Sequence, residues 1–133
     1  MVKLFFLSVA AVAAQPERPA PDLSRPAMIS SGSISDRDYP RAALARGEQG
    51  DVRFRVLVTE RGRVRECVIE QSSGFAALDE QSCALWTQRF RFRAARDAQG
   101  RAVTQTLSQM FKWRINAPCG STGPRDICIN RDR

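Results

Sequence analysis

Histidine is absent from this 133-residue chain. Its absence removes Ser-His-Asp and Cys-His catalysis and every imidazole-ligated metal site. Lysine is nearly absent: Lys3 and Lys112 stand beside nineteen arginines, and 21 cations against 14 carboxylates give a formal charge of +7. A run of the ~20 apolar residues that a membrane-spanning helix needs is also missing; the longest stretch, residues 4–14, has only Ser8 as an interruption. None of the cysteines has CxxC spacing, so redox and zinc readings are weak, and no internal repeat is visible. An enzyme would have to be built from Asp, Glu, Ser and Tyr. The adjacent carboxylates Asp79 and Glu80 open a helical pattern, where acids are favoured by the helix dipole anyway. We therefore expect no catalytic residue, no metal, no cofactor and no small-molecule substrate.

What remains is enough for one small domain. Apolar residues make up 43% of the chain, which supports a modest core. Residues 1–14 (MVKLFFLSVAAVAA) place one cation ahead of a short apolar run that ends in small residues, the layout of a secretory signal peptide. Cleavage is expected near residues 13–15, and the mature protein is expected in the periplasm. The same run could also serve as an uncleaved tilted anchor or as a buried helix. Residues 15–34 form a linker with four prolines among residues 15–26, expected to be extended, and residues 28–34 are expected to be loop. Residues 35–116 hold the domain, and 117–133 a polar tail with two cysteines.

Export makes an even number of cysteines read as disulfides. Four cysteines allow three pairings, of which the local one is favoured: Cys67 with Cys83 and Cys119 with Cys128. A loop of the first pair's size stabilises by about 3 kcal/mol in the chain-entropy model.

Within the domain, residues 38–46 (DYPRAALAR) predict a short helix. Cap oxygens come from Ser35, Asp36 and Asp38, Pro40 suits the first turn and Gly47 the exit. Residues 50–59 alternate, with Val52, Phe54, Val56 and Val58 on one face and Arg53 and Arg55 on the other, which predicts a half-buried strand. A turn at 60–63 with Gly62 at positive φ leads to a return strand over 64–71, where Cys67 and Ile69 share one face and Val64 and Val68 the other. Residues 75–90 have helical periodicity. Leu78, Ser82, Cys83, Leu85, Trp86 and Phe90 lie in one arc, and Cys83 at its edge reaches Cys67 if the helix lies on the hairpin. A turn at 97–100 precedes a long strand over 103–115. The fold class is thus α+β: a three-stranded antiparallel/mixed sheet of order 2-1-3, two helices on one face, and the last strand an edge.

These landmarks resemble the C-terminal domain of the TonB family, the envelope energy transducers of Gram-negative bacteria. The resemblance rests on Tyr39-Pro40 with Ala43, then Gly50-x-Val52, Gly62-x-Val64, Ser72-Ser73-Gly74 with Leu78-Asp79, Phe92-x-x-Ala95, Gly100 and Val103. Two departures are Ala94 and Ala102, where the family favours proline. The resemblance implies capture of an extended segment of an outer-membrane receptor, or another envelope partner, as a strand added beside the last strand. Mapped here, the docking edge would be Thr104, Gln105, Thr106, Leu107, Ser108, Gln109 and Met110, with Tyr39, Pro40 and Arg41 as a secondary surface. A full transducer has an inner-membrane helix and a long spacer, whereas about twelve linker residues span only on the order of 40 Å. The expectation is a recognition module without the motor connection, linked to TonB-dependent transport.

An exposed edge can instead pair with itself, so a homodimer or an adaptor using the edge for self-association is the competing reading. The arginines at 53, 55, 61, 63 and 65 flank one hairpin and could form a basic patch. Export argues against nucleic acid as its partner.

Overall fold

The computed structural model describes residues 23–120, Gly123 and 126–132. The expected signal peptide and the first part of the expected linker, residues 1–22, lie outside the described residues. The first element is a strand, β1 (Met28–Ser31), where the sequence suggested loop. A 3-10 turn at Asp36–Asp38 leads through Tyr39 and Pro40 into α1 (Arg41–Ala45). Pro40 holds the N-cap position with extended backbone, and Gly47 leaves the helix at φ 68°, as residues without a Cβ penalty do at such exits.

The hairpin follows as β2 (Gly50–Val58) and β3 (Val64–Gln71). β2 buries Val52, Phe54, Val56 and Val58 and turns Arg53 and Arg55 outward, as its alternation predicts. β3 departs from strict alternation for a structural reason. Leu57 is opposite Glu66 but Val58 is opposite Val64, so Arg65 is an extra residue and a bulge returns Val64 to the core face. Val64 is accordingly buried while Val68 stays exposed.

α2 (Ala76–Arg89) lies on the hairpin and buries Leu78, Ser82, Leu85 and Trp86, the i, i+4, i+7, i+8 stripe of a core-facing helix. Its Cys83 is joined to Cys67 with the Cα atoms 5.7 Å apart, stapling helix to strand. After α2 come β4 (Arg91–Arg93), β5 (Ala95–Arg96) and β6 (Ala102–Val103), then the long β7 (Gln105–Ile115) and β8 (Asp126–Arg131). β4 pairs with β1, and β5 with β6 around the 97–100 turn.

The main sheet has the order β3-β2-β7-β8. Its first three strands are the expected 2-1-3 arrangement, with β3 and β7 both antiparallel to the central β2. The fourth strand corrects the sequence reading in two ways. The tail is not merely a polar appendage, because it returns as β8. And β7 is not an edge along its whole length, because β8 runs parallel to it from Met110 to Ile115. The single core joins the sheet's inner face to the helices through Phe54, Leu78, Trp86, Phe92, Phe111 and Trp113. Phe54 meets Trp86 and Phe111 edge-to-face, with centroids 5.9 and 5.1 Å apart, a geometry that adds to area burial.

Candidate partner-binding edge

The sequence that makes β7 also makes its two sides unequal. On the β2 side every residue from Gln105 to Trp113 has a partner, from Val58 to Gly50. On the other side β8 begins only at Met110. Among the described residues, no strand is registered with β7 on that side between Gln105 and Met110. The near end of this gap is approached by the chain entering β1: the Ala27 N–H donates to the Gln105 side-chain carbonyl at 2.6 Å. The far end is set by β8. At about 3.3 Å per residue the gap admits a strand of four or five residues.

Side chains along the gap alternate as the pleat requires. Leu107, opposite buried Val56, packs against the core, whereas Thr106 is exposed and lies opposite Leu57. Beside Thr106 on the sheet's outer face is a shallow hollow of about 450 Å³ lined by Arg55, Leu57, Glu66 and Val68. A larger polar hollow of about 520 Å³ lies at the opposite end of β2, between Asp51, Ser73, Arg114 and Pro118, away from the open stretch.

The other site residues read from the sequence fall in different places. Thr104 is between β6 and β7 rather than in a strand, and Met110 is already opposite Asp126. Tyr39 is only 4% exposed. Its ring meets Trp113 edge-to-face at 5.1 Å and its hydroxyl donates to the Glu48 carbonyl. Burial pushes this phenol above its usual 10.0, with Arg114 pulling the other way and Glu48 adding to the rise. Tyr39 is therefore a core residue, which a contact surface cannot use; of that trio Arg41 is exposed and Pro40 half-buried. Cys119 and Cys128 are joined, closing the loop that leads into β8.

Asp126 anchors the start of β8. It accepts the Gly123 N–H at 2.8 Å and pairs with Lys112 at 3.3 Å. Its carboxyl is held below the usual 3.8, first by that backbone N–H, against some desolvation, and then by Lys112 and Arg53. At the other end Arg131 reaches Asp36 at 3.2 Å. Sequence reading missed this strand, although Ile127 and Ile129 two residues apart were a period-2 signal. Among the described residues no group of three or more His, Cys, Asp or Glu is placed to hold a metal. No helix among them is long and apolar enough to cross a membrane.

A mixed sheet with α2 stapled to its hairpin and α1 packed beside α2 defines a small α+β domain of the envelope-transducer type. The chain belongs to the TonB C-terminal family: the model of the Gram-negative bacterial TonB protein C-terminal matches residues 35–115. Among solved structures it is similar to the C-terminal domain of Pseudomonas aeruginosa TonB, determined in solution by NMR. The two share 24% identity over 69% of this chain and 89% of that one, with a TM-score of 0.56, a likeness that shows the fold. No curated protein matches the chain.

Proposed function

We propose that this domain works in the periplasm as a binding module for TonB-dependent transport, capturing an extended segment of an outer-membrane receptor as an added strand. The observation that carries this reading is the half-covered side of β7. β8 occupies Met110–Ile115 in parallel register, so this side of β7 accepts a strand, and the stretch from Gln105 to Met110 continues the same ladder. Main-chain hydrogen bonds would supply affinity, and alternate side chains of the guest would meet Thr106 and the hollow beside it. The docking edge is thus narrower than the sequence suggested, running from Gln105 to Gln109 with β8 as a stop. The module binds rather than catalyses.

Proline replacement tests the mode. Successive N–H groups of a strand point to opposite sides. Of Thr106→Pro and Leu107→Pro, one therefore removes an outward donor and the other a donor to β2. We expect one variant to stay folded and lose receptor-peptide binding, and the other to lose stability. If the variant that keeps its fold also keeps its affinity for plug-domain peptides, strand addition at this edge is excluded. Self-association through the same edge would instead show as a sedimentation coefficient that rises with protein concentration and falls with the same variant.

A further inference from the structure

We infer that the end of the molecule formed by β1, β4 and β5 is a docking surface for anionic phospholipid. It adjoins the near end of the β7 gap, where Ala27 meets Gln105, but is lined by other residues and does not depend on the reading above.

Two observations meet there. The first is apolar. Met28 and Ile29 are 57% and 49% exposed, the two most exposed large apolar residues described, and as consecutive residues of β1, which pairs only with β4, they flank its outer edge from the two faces of the ribbon. The second is charge. Met28 is opposite Arg93, and a hollow of about 170 Å³ is lined by Arg25, Pro26, Met28, Arg93, Ala94 and Arg96. Three arginines thus surround an apolar floor. The β2–β3 turn brings Arg61 and Arg63 to the same region, since the Phe92 N–H donates to the Gly62 carbonyl at 2.9 Å. Arg91 follows on β4.

Among the described residues none of these six arginines forms an ion pair with a carboxylate. The arginines at 46, 55, 65, 89, 101, 114 and 131 do. Among the described residues, the acids next to these arginines in sequence are Glu60, beside Arg61, and Asp97, beside Arg96 and engaged by Arg101 at 3.0 Å. Cationic side chains without acidic partners are thus gathered at the end that also exposes apolar tips.

The combination selects the partner. Guanidinium forks match phosphate oxygens. Apolar tips flanked by long cationic side chains are the pattern of a surface that lies at a headgroup–acyl boundary, with the arginine stems alongside. An acidic protein would answer the charge but leave Met28 and Ile29 in water unless it also carried an apolar socket. An anionic bilayer met by the β1 edge supplies both phosphate and apolar depth. The apolar run 4–14 precedes Arg25 by about ten residues, a reach of no more than ~40 Å, so any bilayer holding that run lies within range of β1.

The test uses the full chain and compares vesicles of phosphatidylcholine alone with vesicles in which phosphatidylglycerol replaces part of it. The apolar run contributes to both compositions, so the readout is the ratio of the two partition coefficients. We expect phosphatidylglycerol to raise partitioning at least about a hundredfold, with the gain falling as salt is added. The R93Q/R96Q double variant should lower the ratio by roughly 25-fold, about fivefold per arginine, with unchanged circular dichroism. The M28S/I29S variant should weaken binding to the anionic vesicles. The R37Q/R53Q variant, which removes the same charge elsewhere, should stay within about threefold of the parent. Equal partitioning to both compositions would overturn the proposal. So would equal losses in the two arginine variants, or binding of an acidic peptide to this end without any preference for anionic vesicles.

Discussion

Asp79, an acid at the helix entry, is a structural residue in the fold. Its carboxylate accepts the Ser73 N–H at 2.9 Å and the Ser73 hydroxyl at 2.8 Å, and the Ser72 hydroxyl donates to it as well. The Ser-Ser-Gly turn is thereby fastened to the first turn of α2. Asp79→Ala should cost about 1–3 kcal/mol, read as a lower urea midpoint. Ser82 and the two tryptophans make a sharper comparison. The Trp113 indole N–H donates to the buried Ser82 hydroxyl at 3.0 Å, and that hydroxyl donates to the Leu78 carbonyl at 2.8 Å. The equally buried Trp86 indole N–H has no partner among the described residues. Trp113→Phe should therefore destabilise by about 1 kcal/mol more than Trp86→Phe, and equal losses would contradict this account of the pair. Tyr39 is the only tyrosine, so its phenolate absorbance reports one group. The folded phenol is raised above 10.0 by burial. The stability this contributes is complete below pH 10 and is lost as pH climbs through the folded value. Absorbance should lag the titration of a free phenol and then rise together with unfolding.

At the scale of elements, legibility followed periodicity. Val52, Phe54, Val56 and Val58 declared β2, and the Leu78, Ser82, Leu85, Trp86 stripe declared α2. Cys83 at the edge of that stripe met Cys67 as expected from the wheel. β1 was not legible because Met-Ile-Ser-Ser has no alternation and its partner, Arg91–Arg93, lies some sixty residues away. Val64 was placed on the wrong face because a bulge at Arg65 cannot be counted from a pattern of eight residues. Gly62 was legible as a positive-φ turn, and its φ is 75°. No local pattern shows that a Cβ there would lie 1.9 Å from the Phe92 carbonyl oxygen. Gly62→Ala should consequently pull β4 off the turn and cost several kcal/mol, on the scale of other strained or overpacked sites. Replacing Cys67 and Cys83 together by serine should cost about 3 kcal/mol for a loop of this size, read in the same denaturant assay.

At the scale of the whole molecule, half of the candidate edge was legible and half was not. β7 could be read as the last strand of a 2-1-3 sheet. That its Met110–Ile115 half is covered depends on a tail whose strand follows a disulfide-closed loop and is anchored by Asp126 to Lys112 and by Arg131 to Asp36. These are contacts between distant residues that no local pattern encodes. On the proposed reading, the tail sets the length of the site. Removing residues 117–133 should extend peptide-induced protection from the 105–109 stretch into 110–115, at the cost of the buried Ile129. The central claim is that a guest strand adds to β7 between the chain entering β1 and the start of β8. Backbone amide shifts of the isotope-labelled protein, followed during titration with receptor plug-domain peptides, test it most directly. The account predicts shifts concentrated at Gln105–Gln109, with smaller ones at Arg55 and Leu57 across the ladder; shifts centred elsewhere, or none at saturating peptide, would contradict it.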